Sequence, residues 1–246
     1  MIAAILVRAL QLFLLGFLLP CAVAAGWWAM RDRPADWRSA SWEASGLLPA
    51  PTGPAIHVLS ARTGGWKGAV SSHSWIVYAR AGEARWTRWD VVGWGAPVRR
   101  DAYPPDGRWY SNAPWIVGSV TGAEAAALIP QVEAAIAAYP DRARGSYRIW
   151  PGPNSNSFVA RILREVPGLG LVLPPIAVGK DWLGPGLRGT IDDGGNLHAS
   201  AWGIAGLAAG PRVGVELQLL GQTLGLDLAR PALKLPGIGR VGLPSG

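Results

Sequence analysis

In Trp150-Pro151-Gly152-Pro153-Asn154-Ser155-Asn156-Ser157-Phe158-Val159-Ala160-Arg161-Ile162-Leu163-Arg164-Glu165-Val166, two prolines and a glycine forbid regular structure up to Pro153, and four small polar residues follow. Side chains of that kind accept hydrogen bonds from the free N–H groups of a first helical turn, so a helix is predicted to start here. Phe158, Val159, Ile162, Leu163 and Val166 recur at helical spacing along one face, Arg161, Arg164 and Glu165 fall off it, and Pro167-Gly168 ends the run. Asn154 to Ser157 therefore sit at the N-terminus of a buried helix, where the backbone favours developing negative charge. A plain helix cap uses the same residues, so any chemistry must draw partners from elsewhere in the chain.

Outside that stretch, composition sets the class. The 246 residues are 50% hydrophobic and 16% charged, enough apolar content for a sizeable core. Gly 33 and Pro 21 imply many turns and short strands, and the expected fold is α+β, an antiparallel sheet with a few packed helices. The net charge of +7 is scattered, without a basic run or a nucleic-acid motif. Such a balance fits anionic lipid or a peptidoglycan component as partner and speaks against nucleic acid.

Residues 1–30 carry a single charge, Arg8. The apolar core from Ala9 to Leu19, followed by Pro20 and Ala22-Val23-Ala24, has the small-x-small form of a signal-peptidase site. The apolar stretch nevertheless continues to Trp27-Trp28 before Arg31 and Arg33, and is long enough to span a bilayer. The expectation is a transmembrane anchor through residues 2–30 at the inner membrane, with the domain facing the periplasm; the alternative is a cleaved signal that releases it there. Cys21 lies in this segment and is the only cysteine, which removes disulfides, a cysteine nucleophile and cysteine zinc sites from the rest of the chain. With His57, His73 and His198 as the only histidines, a histidine-rich metal site is not expected, and no motif calls for a cofactor. The remainder divides into a juxtamembrane linker over 31–54, an α+β core over 55–183 and a Gly/Pro-rich extension over 184–246 that contains a hairpin. In the linker, Trp37 and Trp42 are expected to pack on the domain or the membrane surface.

Strands are predicted over 55–61 and 71–80, the second carrying Ser72-His73-Ser74-Trp75-Ile76-Val77. A two-residue turn at Ala81-Gly82 into Glu83–Val92 pairs position 80 with 83 and sets His73 directly opposite Asp90 on one face. A carboxylate there would fix the imidazole tautomer and raise its basicity. A four-residue loop instead sets His73 opposite Val92. Downstream, Trp94, Tyr103, Trp109 and Tyr110 lie in a proline-rich loop that suits the rim of a sugar- or acyl-binding surface. Thr121-Gly122-Ala123-Glu124 reads as a capping box, Pro130 as a kink or break in the helix that follows, and Ser146–Trp150 as a strand. Alternating Val213, Val215, Leu217 and Leu219, then Leu224, Leu226 and Leu228, read as a hairpin, with 198–210 buried or against a membrane.

The order of parts, a histidine heading a strand and, far downstream, Asn154-Ser155-Asn156-Ser157-Phe158 at a helix start, resembles the circularly permuted papain-like hydrolases of the NlpC type. Ser155 stands where that family has its cysteine. The chain, including its tail from Leu220 to Leu243, also looks like an uncharacterised family of Gram-negative envelope proteins. The first resemblance implies a permuted papain-like core in which His73 would be the base, Asp90 its orienter, Ser155 the nucleophile, and Asn154 or Asn156 oxyanion donors. Trp75, Trp94, Trp109, Tyr110 and Trp150 would contact ligand. A serine hydroxyl stays protonated until attack and needs a well-placed base, whereas a thiolate forms easily. The leading expectation is therefore a degenerate domain binding a peptidoglycan peptide, glycan or lipid without cleaving it; the alternative is a serine-dependent amide or ester hydrolase.

Overall fold

The computed structural model describes residues 2–242, so Leu243, the end of the tail named above, lies outside the described residues. Apolar sequence interrupted only by Arg8 and Gln11 forms one helical rod in three consecutive stretches: α1 (Ile2–Phe13), a π-helical segment (Leu14–Leu18) and α2 (Leu19–Ala29). Ala4–Ala29, at a mean hydropathy of 2.1, is long and apolar enough to cross a membrane, and most of its surface is open. Its C-terminal end is tied to the domain, with the Trp28 indole N–H donating to Gly65 O at 3.0 Å.

Strands β1 (Ala55–Arg62), β2 (Ser72–Ala79), β3 (Thr87–Val91), β4 (Val98–Arg100) and β5 (Trp115–Thr121) form an antiparallel sheet in the order β4-β3-β2-β1-β5. Period-2 alternation gives it two different faces. On one, Ile56, Val58, Ile76, Tyr78 and Val91 pack against α3 (Gly122–Ala137) and α4 (Ser155–Glu165) through Ile129, Ile136, Phe158 and Ile162. On the other, Leu59, Trp75, Val77 and Val92 are roofed by Trp109 and by half-buried Trp42, Tyr103 and Tyr110 from the flanking loops. The linker thus packs through Trp42, while Trp37 stays exposed.

Several local expectations give way. The turn at Ala81-Gly82 forms, with Glu83 N–H bonded to Arg80 O at 3.2 Å, but the ladder resumes only at Thr87. Its register is Ile76↔Trp89, Val77↔Arg88 and Tyr78↔Thr87, so the two-residue-turn pairing of His73 with Asp90 is replaced by the longer-loop register. Trp86 is drawn out of the ladder by its indole N–H bond to Pro49 O at 2.8 Å. Thr121 makes no side-chain cap: it ends β5 in extended backbone, Gly122 follows at φ +66, and the Gly122 N–H goes to Pro54 O at 2.8 Å. α3 runs unbroken through Pro130. Residues 146–150 form no strand, because Arg148 N–H turns back to Pro153 O at 2.8 Å and no neighbouring strand offers a ladder.

The Gly/Pro-rich extension holds much more than one hairpin. Strands β6 (Leu187–Ile191), β7 (Leu197–Ala201), β8 (Ala205–Gly210), β9 (Gly214–Leu219), β10 (Gln222–Asp227), β11 (Ala232–Leu235) and β12 (Gly239–Gly242) form a second antiparallel sheet in simple sequence order. The expected hairpin is β9–β10, closed by Leu220-Gly221. Lys180 and Arg212 join the two halves, the first through Glu216 at 2.7 Å and the second through Pro167 O at 2.5 Å.

Candidate functional site

Asn154 keeps an extended backbone, so its side chain points back along the start of α4. Its Oδ1 accepts from Asn156 N–H at 2.9 Å and Ser157 N–H at 3.0 Å, while Ser157 Oγ accepts from Asn154 N–H at 2.7 Å. This reciprocal capping satisfies three backbone donors at the helix start. Asn154 Nδ2 donates to Ile149 O and Val178 O, and Gly179 is needed beside it: at φ +91, a Cβ there would meet Asn154 Nδ2 at 2.2 Å. Asn156 Nδ2 donates to Ser72 O at 2.8 Å and to Val178 O at 2.9 Å, stitching the helix start to the head of β2. Its Oδ1 is buried without a hydrogen-bond partner among the described residues. Ser155, the first residue of α4, is buried, and its hydroxyl makes no hydrogen bond among the described residues.

His73 stands on the opposite side of that stitch, on β2 across from Ala61. Its ring stacks face to face on Trp109, with centroids 3.7 Å apart and planes 3° from parallel. The register places Asp90 diagonally from it on the same face, and Nε2 lies 3.7 Å from Asp90 Oδ2. That is an electrostatic contact, too long for a hydrogen bond. Asp90 Oδ2 is instead gripped by Arg88, two residues earlier on the same face, through Nη2 at 2.7 Å and Nε at 3.1 Å. Arg88 Nη1 donates to Pro104 O at 2.7 Å, and the guanidinium lies 4.2 Å over the Trp75 ring. All three groups are almost fully buried.

Burial lowers the His73 pKa from 6.5, and Asp90 offsets this only in part, so the imidazole is neutral at neutral pH. For Asp90, burial is the largest influence and pushes the pKa up, but His73 and the Arg88 charge together hold it below 3.8. The face therefore carries a neutral imidazole beside a carboxylate already paired with a guanidinium. What it lacks is the bonded nucleophile–base pair of acyl transfer, since Ser155 Oγ does not hydrogen-bond to His73.

The structure brings His73, Asp90, Trp75 and Trp109 together on one face of the first sheet. Trp75 is fully buried, its indole N–H bonded to Pro105 O at 2.8 Å. Trp94, nearly half exposed, continues the stack beyond Trp109 at 6.1 Å. Tyr110 packs on Trp42 at 4.7 Å. Trp150 lies apart from the stack, beside the β9–β10 turn, where a Cβ on Gly221 would meet its ring at 3.1 Å. Arg88 is the residue that sequence reading passed over; the signal was a charged side chain two positions before Asp90 in an otherwise β-forming run.

The family model described as a protein of unknown function (DUF3750) matches residues 54–182. The chain belongs to the DUF3750 family. No curated protein and no solved structure matches it. The DUF3750 span runs from just before β1 to just past Lys180. It holds the His73 face and the α4 start together, and leaves the N-terminal helix and the second sheet outside.

Proposed function

We propose that this DUF3750 protein is anchored in the inner membrane by its N-terminal helix, faces the periplasm, and binds a peptidoglycan component without cleaving it. Its first sheet and α4 are a degenerate permuted papain-like domain. The observation that carries this reading is the commitment of Asp90 to Arg88 at 2.7 Å, with His73 left at 3.7 Å and Ser155 unbonded. A serine loses its proton only to a base within hydrogen-bond reach, and a carboxylate neutralised by an arginine does little to stabilise the imidazolium that would form. The order of histidine strand and Asn-Ser-Asn-x-Phe helix supports the permuted papain-like relationship. Trp94, at the open end of the Trp94–Trp109–His73 stack, supports a flat-faced ligand such as a sugar ring.

The test is co-sedimentation of the full chain, in mild detergent, with insoluble peptidoglycan sacculi. Binding is expected, and Trp94→Ala should weaken it by about 5- to 30-fold, the loss of about 1–2 kcal/mol from one aromatic contact. Failure to sediment, or a Trp94→Ala chain that binds as the parent does, refutes the ligand. A second reading, a hydrolase using Ser155 and His73, is favoured by one feature: the neutral His73 ring makes no hydrogen bond among the described residues and heads the strand to which Asn156 ties the α4 start. Release of soluble fragments from the sacculi, lost in Ser155→Ala, would establish it.

A further inference from the structure

The second sheet is inside out. On β8 to β12, Leu207, Val215, Leu217, Leu226, Leu233 and Val241 are between 42% and 49% exposed. The register sets them side by side, with Leu207 opposite Leu217, Val215 opposite Leu226, Leu226 opposite Leu233, and Leu233 opposite Val241. The alternate positions carry Glu216, Gln218, Thr223 and Lys234, and Ser200 on the neighbouring β7 shares their face; all are buried. A half-solvated antiparallel sheet in water normally turns its apolar face to the core and its polar face outward. Here the polar face is packed and a continuous apolar face is open, the polarity of a surface that meets lipid.

We infer that this face of the second sheet is seated on the acyl layer of a lipid bilayer, beside the N-terminal helix. What selects lipid as the occupant is the helix itself. α2 and the π-helical segment lie against the same face through small residues: a Cβ on Gly16 would meet Leu224 Cδ2 at 2.8 Å, and one on Gly237 would meet Ala24 Cβ at 2.9 Å. Cys21 Sγ reaches Gln222 Oε1 at 3.8 Å. Small residues at the contact let the backbones approach as they do between membrane segments. An apolar helix and an apolar sheet face thus make one surface, and wherever the helix meets hydrocarbon the adjoining side chains of β8–β11 meet it too. Among the described residues the sheet is open at β6 and β12, and unpaired backbone groups do not enter hydrocarbon. The seat is therefore shallow, with side chains in the acyl layer and sheet edges at the level of the head groups, which extends the membrane contact from a single helix to a broad footing.

This shares with the proposed function the membrane placement of the helix, and the test separates the two. The unmodified full chain is reconstituted into liposomes of phosphatidylcholine and phosphatidylglycerol containing a phosphatidylcholine with a diazirine on the upper part of one acyl chain, close to the ester, a depth that both a shallow sheet face and a spanning helix pass through. After photolysis, adducts are mapped by mass spectrometry. The expected result is labelling of peptides spanning 205–241 at a level comparable to residues 4–29. In Leu217→Asp/Leu226→Asp, whose substitutions sit on the open face, the sheet labelling is lost while the helix labelling stays. Adducts confined to the helix overturn the inference and leave the anchor standing; absence of adducts on both overturns both. Chemical cross-links between copies across 205–241, in place of lipid adducts, would show that the face belongs to a second copy of this chain.

Discussion

Replacing Glu216 should uncouple the second sheet from the first. Its carboxylate is buried between two lysines, with Oε2 2.7 Å from Lys180 Nζ and Oε1 2.6 Å from Lys234 Nζ, and Gln218 Nε2 donates to it at 2.9 Å. Burial acts to raise its pKa, but the two ammonium groups outweigh this and hold it below 4.5, so it is charged in the fold. Glu216→Ala leaves two buried cations facing each other. Breaking one buried pair costs about 3–5 kcal/mol. The two losses do not add in full, because a stranded lysine sheds its proton. For a chain of this length, a loss of about 3–5 kcal/mol lowers Tm by about 6–20 °C. Near-UV circular dichroism of the detergent-solubilised full chain reads the transition. As a control, Glu165→Gln removes a half-exposed pair with Arg161 and should cost less than about 1 kcal/mol. A Glu216→Ala chain that melts within about 1 kcal/mol of the parent would refute the claim that this cluster clamps the halves together.

Asn154→Ala removes the cap of α4 and takes the side-chain donor from Ile149 O, while Val178 O keeps its bond from Asn156, so a loss of about 1–2 kcal/mol is expected by urea unfolding. Ser155→Ala, which breaks no hydrogen bond, should fall within about 0.5 kcal/mol of the parent; a larger loss would show that the hydroxyl is structural. His73 is held neutral below its usual pKa of 6.5, while the unfolded chain takes up a proton there. Unfolding therefore binds protons, and stability should fall as the pH drops below about 6.5, with the slope reduced in His73→Gln. Denaturant unfolding between about pH 5 and 8 would show this, and an unchanged slope in the variant would assign the acid sensitivity elsewhere.

How much of this was legible depends on the kind of signal. The α4 start was readable because Pro151, Pro153 and the polar run through Ser157 act locally, and the structure caps the helix with Asn154 as such a run demands. The β2–β3 register was not, since Trp86 leaves the ladder for Pro49 in the linker, a partner that no local pattern announces. Its two-residue shift preserves the face, because side chains alternate with period two, so His73 still meets Asp90, diagonally. Arg88 shares that face for the same reason, yet its grip on Asp90 depends on side-chain direction. In the second sheet the alternation of Val215, Leu217 and Leu219 was plain. Periodicity separates two faces without saying which is buried, and the burial of Glu216 and Lys234 reverses the usual assignment.

The most direct test of non-catalytic binding is treatment of the full chain with a broad fluorophosphonate probe beside Ser155→Ala and His73→Ala. The expected result is no labelling above the Ser155→Ala background, because the Ser155 hydroxyl has no base bonded to it. Labelling of the parent that disappears in both variants would contradict this and make the protein a serine hydrolase.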